Sequence, residues 1–226
     1  MTDLQPRHTG DATRAASLQR ARTHLRSADP VLDRLIDHDP TFDPRAWLDE
    51  LPPVDLFGAA LFQIVGQQLS VAATRRAIGR IETLFDGHLP SPAELLSVEP
   101  IQLRAAGISR RKIGTLRELA ERLSDGRLNE DELSALPDDD FIDELTAISE
   151  IDTWIAEGVL LVALRRDDVV LAGHLALRKA IRDAYQLVRL PSEEEVLEIA
   201  EKWRPFRSLA TTYLFTSAFE RGNGEA

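Results

Sequence analysis

The stretch that most constrains this chain runs from Asp143 to Leu187. Apolar residues recur at helical spacing on both sides of a short polar break, Ser149–Asp152. Leu145 and Ile148 precede the break, and Trp154, Ile155, Val159 and Leu160 follow it. So short a break accommodates only a tight turn, and the pattern predicts helix, turn, helix. Thr153 is the expected N-cap of the second helix, and Arg165 and Arg166 are expected near its end, where cations complement the dipole. A charged loop follows. A third helix is expected to start near Gly173 and His174, with Leu175, Leu177, Ile181 and Leu187 as its apolar positions.

At 226 residues the chain can bury a substantial core, as one domain or as two tightly packed subdomains. Few aromatic residues and a single methionine point to an aliphatic core. The absence of cysteine excludes disulfides, thiolate catalysis, zinc–thiolate sites and a cysteine-ligated iron–sulfur cluster. The longest apolar run, Gly158–Leu164, is far too short to span a bilayer, and nothing resembles a signal peptide. A cytoplasmic protein with no membrane association is expected. The formal net charge of −11 has the wrong sign for holding phosphates, so any DNA-binding face must be a concentrated basic patch with salt-sensitive affinity.

Residues 1–12 are polar and are expected to be disordered, followed by helices at Ala12–Ser27 and Val31–Asp37. Pro40–Val54 carries four prolines and Trp47 and reads as a structured loop with a short helix at Pro44–Asp49. Leu56–Gly66 is apolar nearly all round, as a buried helix must be. Gln67, Gln68, Leu69 and Ser70 break it, and Ser70 is placed to cap a helix over Val71–Phe85. Short helices are expected at Ala93–Val98 and Pro100–Ala106. Ser109 caps the next, whose inner face is Ile113, Leu116, Leu119, Ala120 and Leu123. Arg110, Arg111, Lys112 and Arg117 on that helix form the densest positive charge in the chain. Cations at a helix start oppose its dipole, so they read either as a contact surface for phosphate or as a solvated face paired with Glu118 and Glu121. Helices at Asn129–Ala135, Asp138–Ile148 and Pro191–Trp203 follow, the last with a Ser192/Glu195 capping box.

Four phrases carry a family resemblance, in family order from about Asp29 to Phe219. They are the hairpin Leu145–Ala156 with the loop Asp168–Leu177, the phrase Gly66–Phe85, the phrase Leu103–Gly126, and the closing Trp203–Glu220. Together they resemble the helix-hairpin-helix DNA glycosylases of the 3-methyladenine DNA glycosylase II type. The resemblance implies an all-α fold with two helical subdomains flanking a cleft. Its implied division is a tail and first helix over 1–28, a glycosylase-like domain over 29–220 with central helices about 56–150 and the hairpin about 143–165, and a C-terminal tail over 221–226. It implies a monomer without cofactor that meets double-stranded or branched DNA, alone or with repair proteins.

By resemblance, Gln68 is the wedge that fills the gap left by a flipped base, with Gln67, Leu69 and Ser70 beside it. Refilling a broken stack has to offset a few kcal/mol, roughly, of lost stacking. Glu150, Ile151, Asp152 and Thr153 occupy the hairpin turn, and Arg110, Arg111 and Lys112 are the implied phosphate contacts. Trp154, Arg204 and Arg207 are implied at the pocket, the two arginines fixing the loop near His174. Two departures alter the chemistry. Both family hairpin glycines are acidic here, Glu150 and Asp152, which adds Cβ atoms and places carboxylates toward a phosphate unless a divalent cation bridges them. The family's catalytic aspartate position is His174. A departing base leaves a cationic sugar that a fixed anion stabilises, and neutral imidazole supplies no charge. Asp168 on the preceding loop is the nearest candidate for a replacement carboxylate. The expectation is a DNA-repair protein that recognises damaged, bent or branched DNA without ordinary base excision. The alternatives are an active glycosylase for alkylated purines and a protein-interaction module.

Overall fold

The computed structural model describes residues 7–43, 46, 54–69 and 71–222. Thirteen helices and no strand occur among them, in two compact units. One unit takes residues 1–49 and 167–226; the other takes the continuous segment 50–166.

The continuous unit is built on α3 (Leu56–Gly66), whose apolar circumference is buried on most sides. Asp55 caps it by accepting the Gly58 N–H at 2.6 Å. Around it stand α4 (Val71–Leu84), α7 (Arg110–Ser124) and α10 (Thr153–Val162). The short helices α5 (Pro92–Ser97) and α6 (Pro100–Ala105) pack on α7, and α8 (Glu130–Ala135) and α9 (Asp138–Thr146) precede the hairpin. Ser109 caps α7 at the Lys112 N–H, and four of the five expected inner residues, Ile113, Leu116, Leu119 and Ala120, are buried. Leu123 is half-buried, because the helix ends one residue later. Gly158 lets α10 approach α3 closely: a Cβ there would lie 2.5 Å from the Gln63 side chain.

The other unit joins α1 (Arg7–Ala28) and α2 (Pro30–His38) to α11 (Leu175–Ala184), α12 (Glu193–Glu201) and α13 (Arg207–Gly222). Its core runs through Leu25, Leu32, Ile36, Leu177, Ile181, Val196, Trp203, Leu209 and Leu214. The expected Ser192/Glu195 capping box is present, with the Ser192 N–H bonded to Glu195 at 2.7 Å.

Several boundaries differ from expectation. Helix α1 begins at Arg7, five residues earlier than the expected start, and residues 1–6 lie outside the described residues. The hairpin's second helix is capped by Asp152, not Thr153: Asp152 Oδ1 accepts the Ile155 N–H at 3.1 Å and Thr153 becomes the first helical residue. An ionised carboxylate is the stronger acceptor. The same helix ends at Val162, so Arg165 and Arg166 lie beyond it. Arg166 instead bonds the Ser134 and Leu136 carbonyls at 2.8 and 3.0 Å, completing the end of α8. The helix expected at Pro44–Asp49 and the cap at Ser70 fall largely outside the described residues.

Candidate nucleic-acid interface

Four non-glycine residues of the continuous unit take a left-handed conformation, Gln68, Asp86, Glu150 and Arg165, and two of them, Glu150 and Gln68, sit in the turns that the sequence singles out. In the hairpin turn, Ile148 and Ile151 are buried and anchor the chain, and the Ile151 N–H bonds the Ile148 carbonyl at 3.1 Å. Between them Glu150 has φ 70°, a conformation that glycine takes without penalty and that costs an L-residue about 1–2 kcal/mol. The Glu150 carboxylate is ion-paired with Arg111. Asp152 is engaged at the start of α10, as described above. The hairpin therefore does not present two uncompensated carboxylates: one is neutralised by a guanidinium and one serves as a cap. Glu150 Oε2 and Asp152 Oδ1 are the engaged oxygens, and no group of three or more His, Cys, Asp or Glu side chains suited to a metal ion occurs among the described residues. Thr153 is exposed and Trp154 half-buried.

The second turn follows α3. Gln67 ends the helix, Gln68 has φ 59°, and the Leu69 N–H closes the turn on the Gly66 carbonyl at 3.0 Å. Gln68 and Leu69 are both exposed, Leu69 by 45%. Ser70 lies outside the described residues. Of the three cations at the start of α7, Arg110 is exposed and has no ion pair among the described residues, whereas Arg111 is committed to Glu150. Lys112 points inward, donating to the Val65 carbonyl at 2.7 Å and the Gln67 carbonyl at 2.8 Å. Glu118 pairs with Arg122, so the basic run is not neutralised along its own helix by that residue.

In the other unit, His174 is the N-cap of α11, without a side-chain capping bond. Its N–H bonds the Leu171 carbonyl at 2.9 Å, and its ring meets Phe215 edge-on at 5.3 Å. Burial lowers its pKa below the ordinary histidine value, so the imidazole is neutral at pH 7. Asp168 is gripped by two arginines: Arg204 Nη1 lies 2.6 Å from Oδ2 and Arg207 Nε 2.8 Å from Oδ1. Arg207 also donates to the Asp168 carbonyl. The arginines thus meet at Asp168, and both of its carboxylate oxygens are engaged.

Sequence reasoning missed Ser208. Its buried hydroxyl accepts the Val169 N–H at 3.0 Å, and its own N–H bonds the Asp167 carbonyl, so the start of α13 stitches the loop that leads to His174. Its place between Arg207 and the apolar face of the closing helix was the available signal. Glu193 was missed too. Its carboxylate lies 3.4 Å from where a Gly173 Cβ would stand, and no pattern in sequence links those two residues.

The chain matches a family model described as HhH-GPD superfamily base excision DNA repair protein over residues 62–205. It is 30% identical over 204 residues to DNA-3-methyladenine glycosylase 1 of Schizosaccharomyces pombe, covering 89% of this chain and 88% of that one. A solved structure of the S. pombe 3-methyladenine DNA glycosylase in complex with abasic DNA superposes with a TM-score of 0.79 at 28% identity, over 88% of this chain and 97% of the other. A DNA-3-methyladenine glycosidase from Bacillus halodurans superposes with a TM-score of 0.67 at 29% identity, over 86% and 92%. On a family match that spans more than half its length, borne by an all-α fold of the same kind, this chain belongs to the HhH-GPD superfamily of base excision DNA repair proteins.

Proposed function

We propose that this chain recognises alkylated or abasic lesions in duplex DNA during base excision repair, and that it holds a lesion more readily than it releases a base. The observation that carries the reading is the state of His174. At the position that the family resemblance assigns to a catalytic carboxylate stands a half-buried imidazole whose pKa is lowered by desolvation. It provides no negative charge for a sugar cation. Asp168, the candidate substitute, is locked between Arg204 and Arg207. DNA binding is supported by an outward Gln68 and Leu69, an exposed Arg110, and a hairpin whose Glu150 is paired with Arg111.

A second reading is an active glycosylase for alkylated purines such as 3-methyladenine. It is favoured by the 30% identity that runs through nearly the whole of a protein named for that activity. A cationic alkylated base is a good leaving group, so a pocket that excludes water and orients the sugar could suffice. One experiment separates the two. Binding and base release are measured on the same alkylated, abasic and branched duplexes. Tight binding with release no faster than the protein-free control supports the first reading. Release of methylated purines well above that control, with His174 in place, establishes the second. No binding at low salt defeats both.

A further inference from the structure

We infer that Lys112 is a positioning residue, whose ammonium holds the turn at residues 66–69 so that Gln68 and Leu69 point outward, rather than a contact to DNA phosphate. This rests on the reading of that turn as the element that enters the duplex. Helix α3 ends at Gly66 and leaves its last carbonyls without helical partners. Lys112 Nζ takes up the Val65 and Gln67 carbonyls at 2.7 and 2.8 Å, from a helix 45 residues further along the chain. Two of its three ammonium protons are thereby directed into the turn. The Gln67 carbonyl immediately precedes Gln68, whose left-handed φ of 59° needs such support.

The neighbouring residue does the same for the other turn: Arg111 pairs with Glu150, itself at φ 70°. Consecutive residues in the first turn of α7 each secure one strained residue of the two turns. A cation at a helix start opposes the dipole, and these bonds offset that cost. They also explain why Lys112, half-buried with its pKa lowered by desolvation, is unlike the exposed Arg110 beside it.

The test uses the full-length protein and a duplex with 2-aminopurine beside a tetrahydrofuran abasic analogue; fluorescence rises when the base is unstacked. Wild type should give a rise, and Lys112→Met should reduce both the rise and the affinity about tenfold, as loss of a charge-assisted hydrogen bond does. The slope of log affinity against log salt should stay unchanged, Lys112→Arg should recover most of the signal, and Lys112→Met should add nothing in a Gln68→Ala background. Lys112→Gln gives the same comparison if the methionine variant does not fold. A salt slope reduced by about one unit, as a phosphate contact requires, overturns the inference. So does an equal loss in the Gln68→Ala background, which marks a general structural role. A wild-type rise with unchanged Lys112→Met overturns this inference alone. A bound wild type with no rise overturns the wedge reading beneath it.

Discussion

The indole N–H of Trp203 donates to the carboxylate of Asp29 at 2.7 Å, across 174 residues of chain. Asp29 is fully buried, and it also accepts from the Val31 N–H at 2.8 Å and from the Tyr185 hydroxyl, with Lys202 Nζ at 3.1 Å. One residue thus caps α2 and ties it to α11 and to the segment leading into α13.

Removing that carboxylate strands the indole N–H and the Tyr185 hydroxyl. Asp29→Ala should lower unfolding free energy by about 3 kcal/mol in a urea titration. Burial pushes the Asp29 carboxyl up, but its hydrogen bonds and Lys202 outweigh burial and hold its pKa below the ordinary value. A carboxylate with a depressed folded pKa contributes its full stability above the unfolded value, near ~3.9, and loses it as pH falls through the folded one. The stability difference between wild type and Asp29→Asn should therefore be flat from neutral pH down to about pH 4 and shrink only below it.

Glu150→Gly relieves a left-handed residue, a gain of about 1 kcal/mol, against an exposed ion pair with Arg111 worth about 0–1 kcal/mol. Thermal unfolding should move up slightly or stay level. The same change removes a carboxylate and frees Arg111, and should raise affinity for duplex DNA by roughly fivefold at low salt, measured by fluorescence anisotropy. A fall in affinity would show that Glu150 has a contact of its own with the ligand.

His174→Asp places a fixed negative charge at the start of α11, where the helix dipole also favours it. Release of methylated purines should rise by about 10²-fold over wild type, the scale of a well-placed electrostatic group. The native imidazole has a separate signature. Because burial lowers its folded pKa, protonation is easier in the unfolded chain. Its contribution to stability is complete above the unfolded value, near ~6.5, and is lost as pH falls toward the folded one. His174→Gln should flatten that part of the stability profile.

Gly158→Ala drives a methyl to 2.5 Å from the Gln63 side chain, at the contact of α10 with α3. Gln63 is half-buried and can yield in part, so the cost should be about 1–2 kcal/mol in chemical denaturation. Gln63→Ala in the same protein should recover most of it, which a double-mutant cycle would read directly.

What the sequence determined by itself was the set of elements and the family. Hydrophobic patterning placed α3, α7 and α10 because it is a local property of the chain, family resemblance supplied the closing helix α13, and capping residues such as Ser109 and Ser192 act within one turn. Comparison with the resembled family's pattern also exposed the departing positions, Glu150, Asp152 and His174. Tertiary structure alone decided what those charges do. That Arg111 neutralises Glu150, that Lys112 turns inward to the Gln67 carbonyl, and that Arg204 and Arg207 meet on Asp168 are contacts between residues 36 to 45 positions apart. Electrostatic partnership depends on distance in space and on burial, and no spacing rule along the chain encodes either.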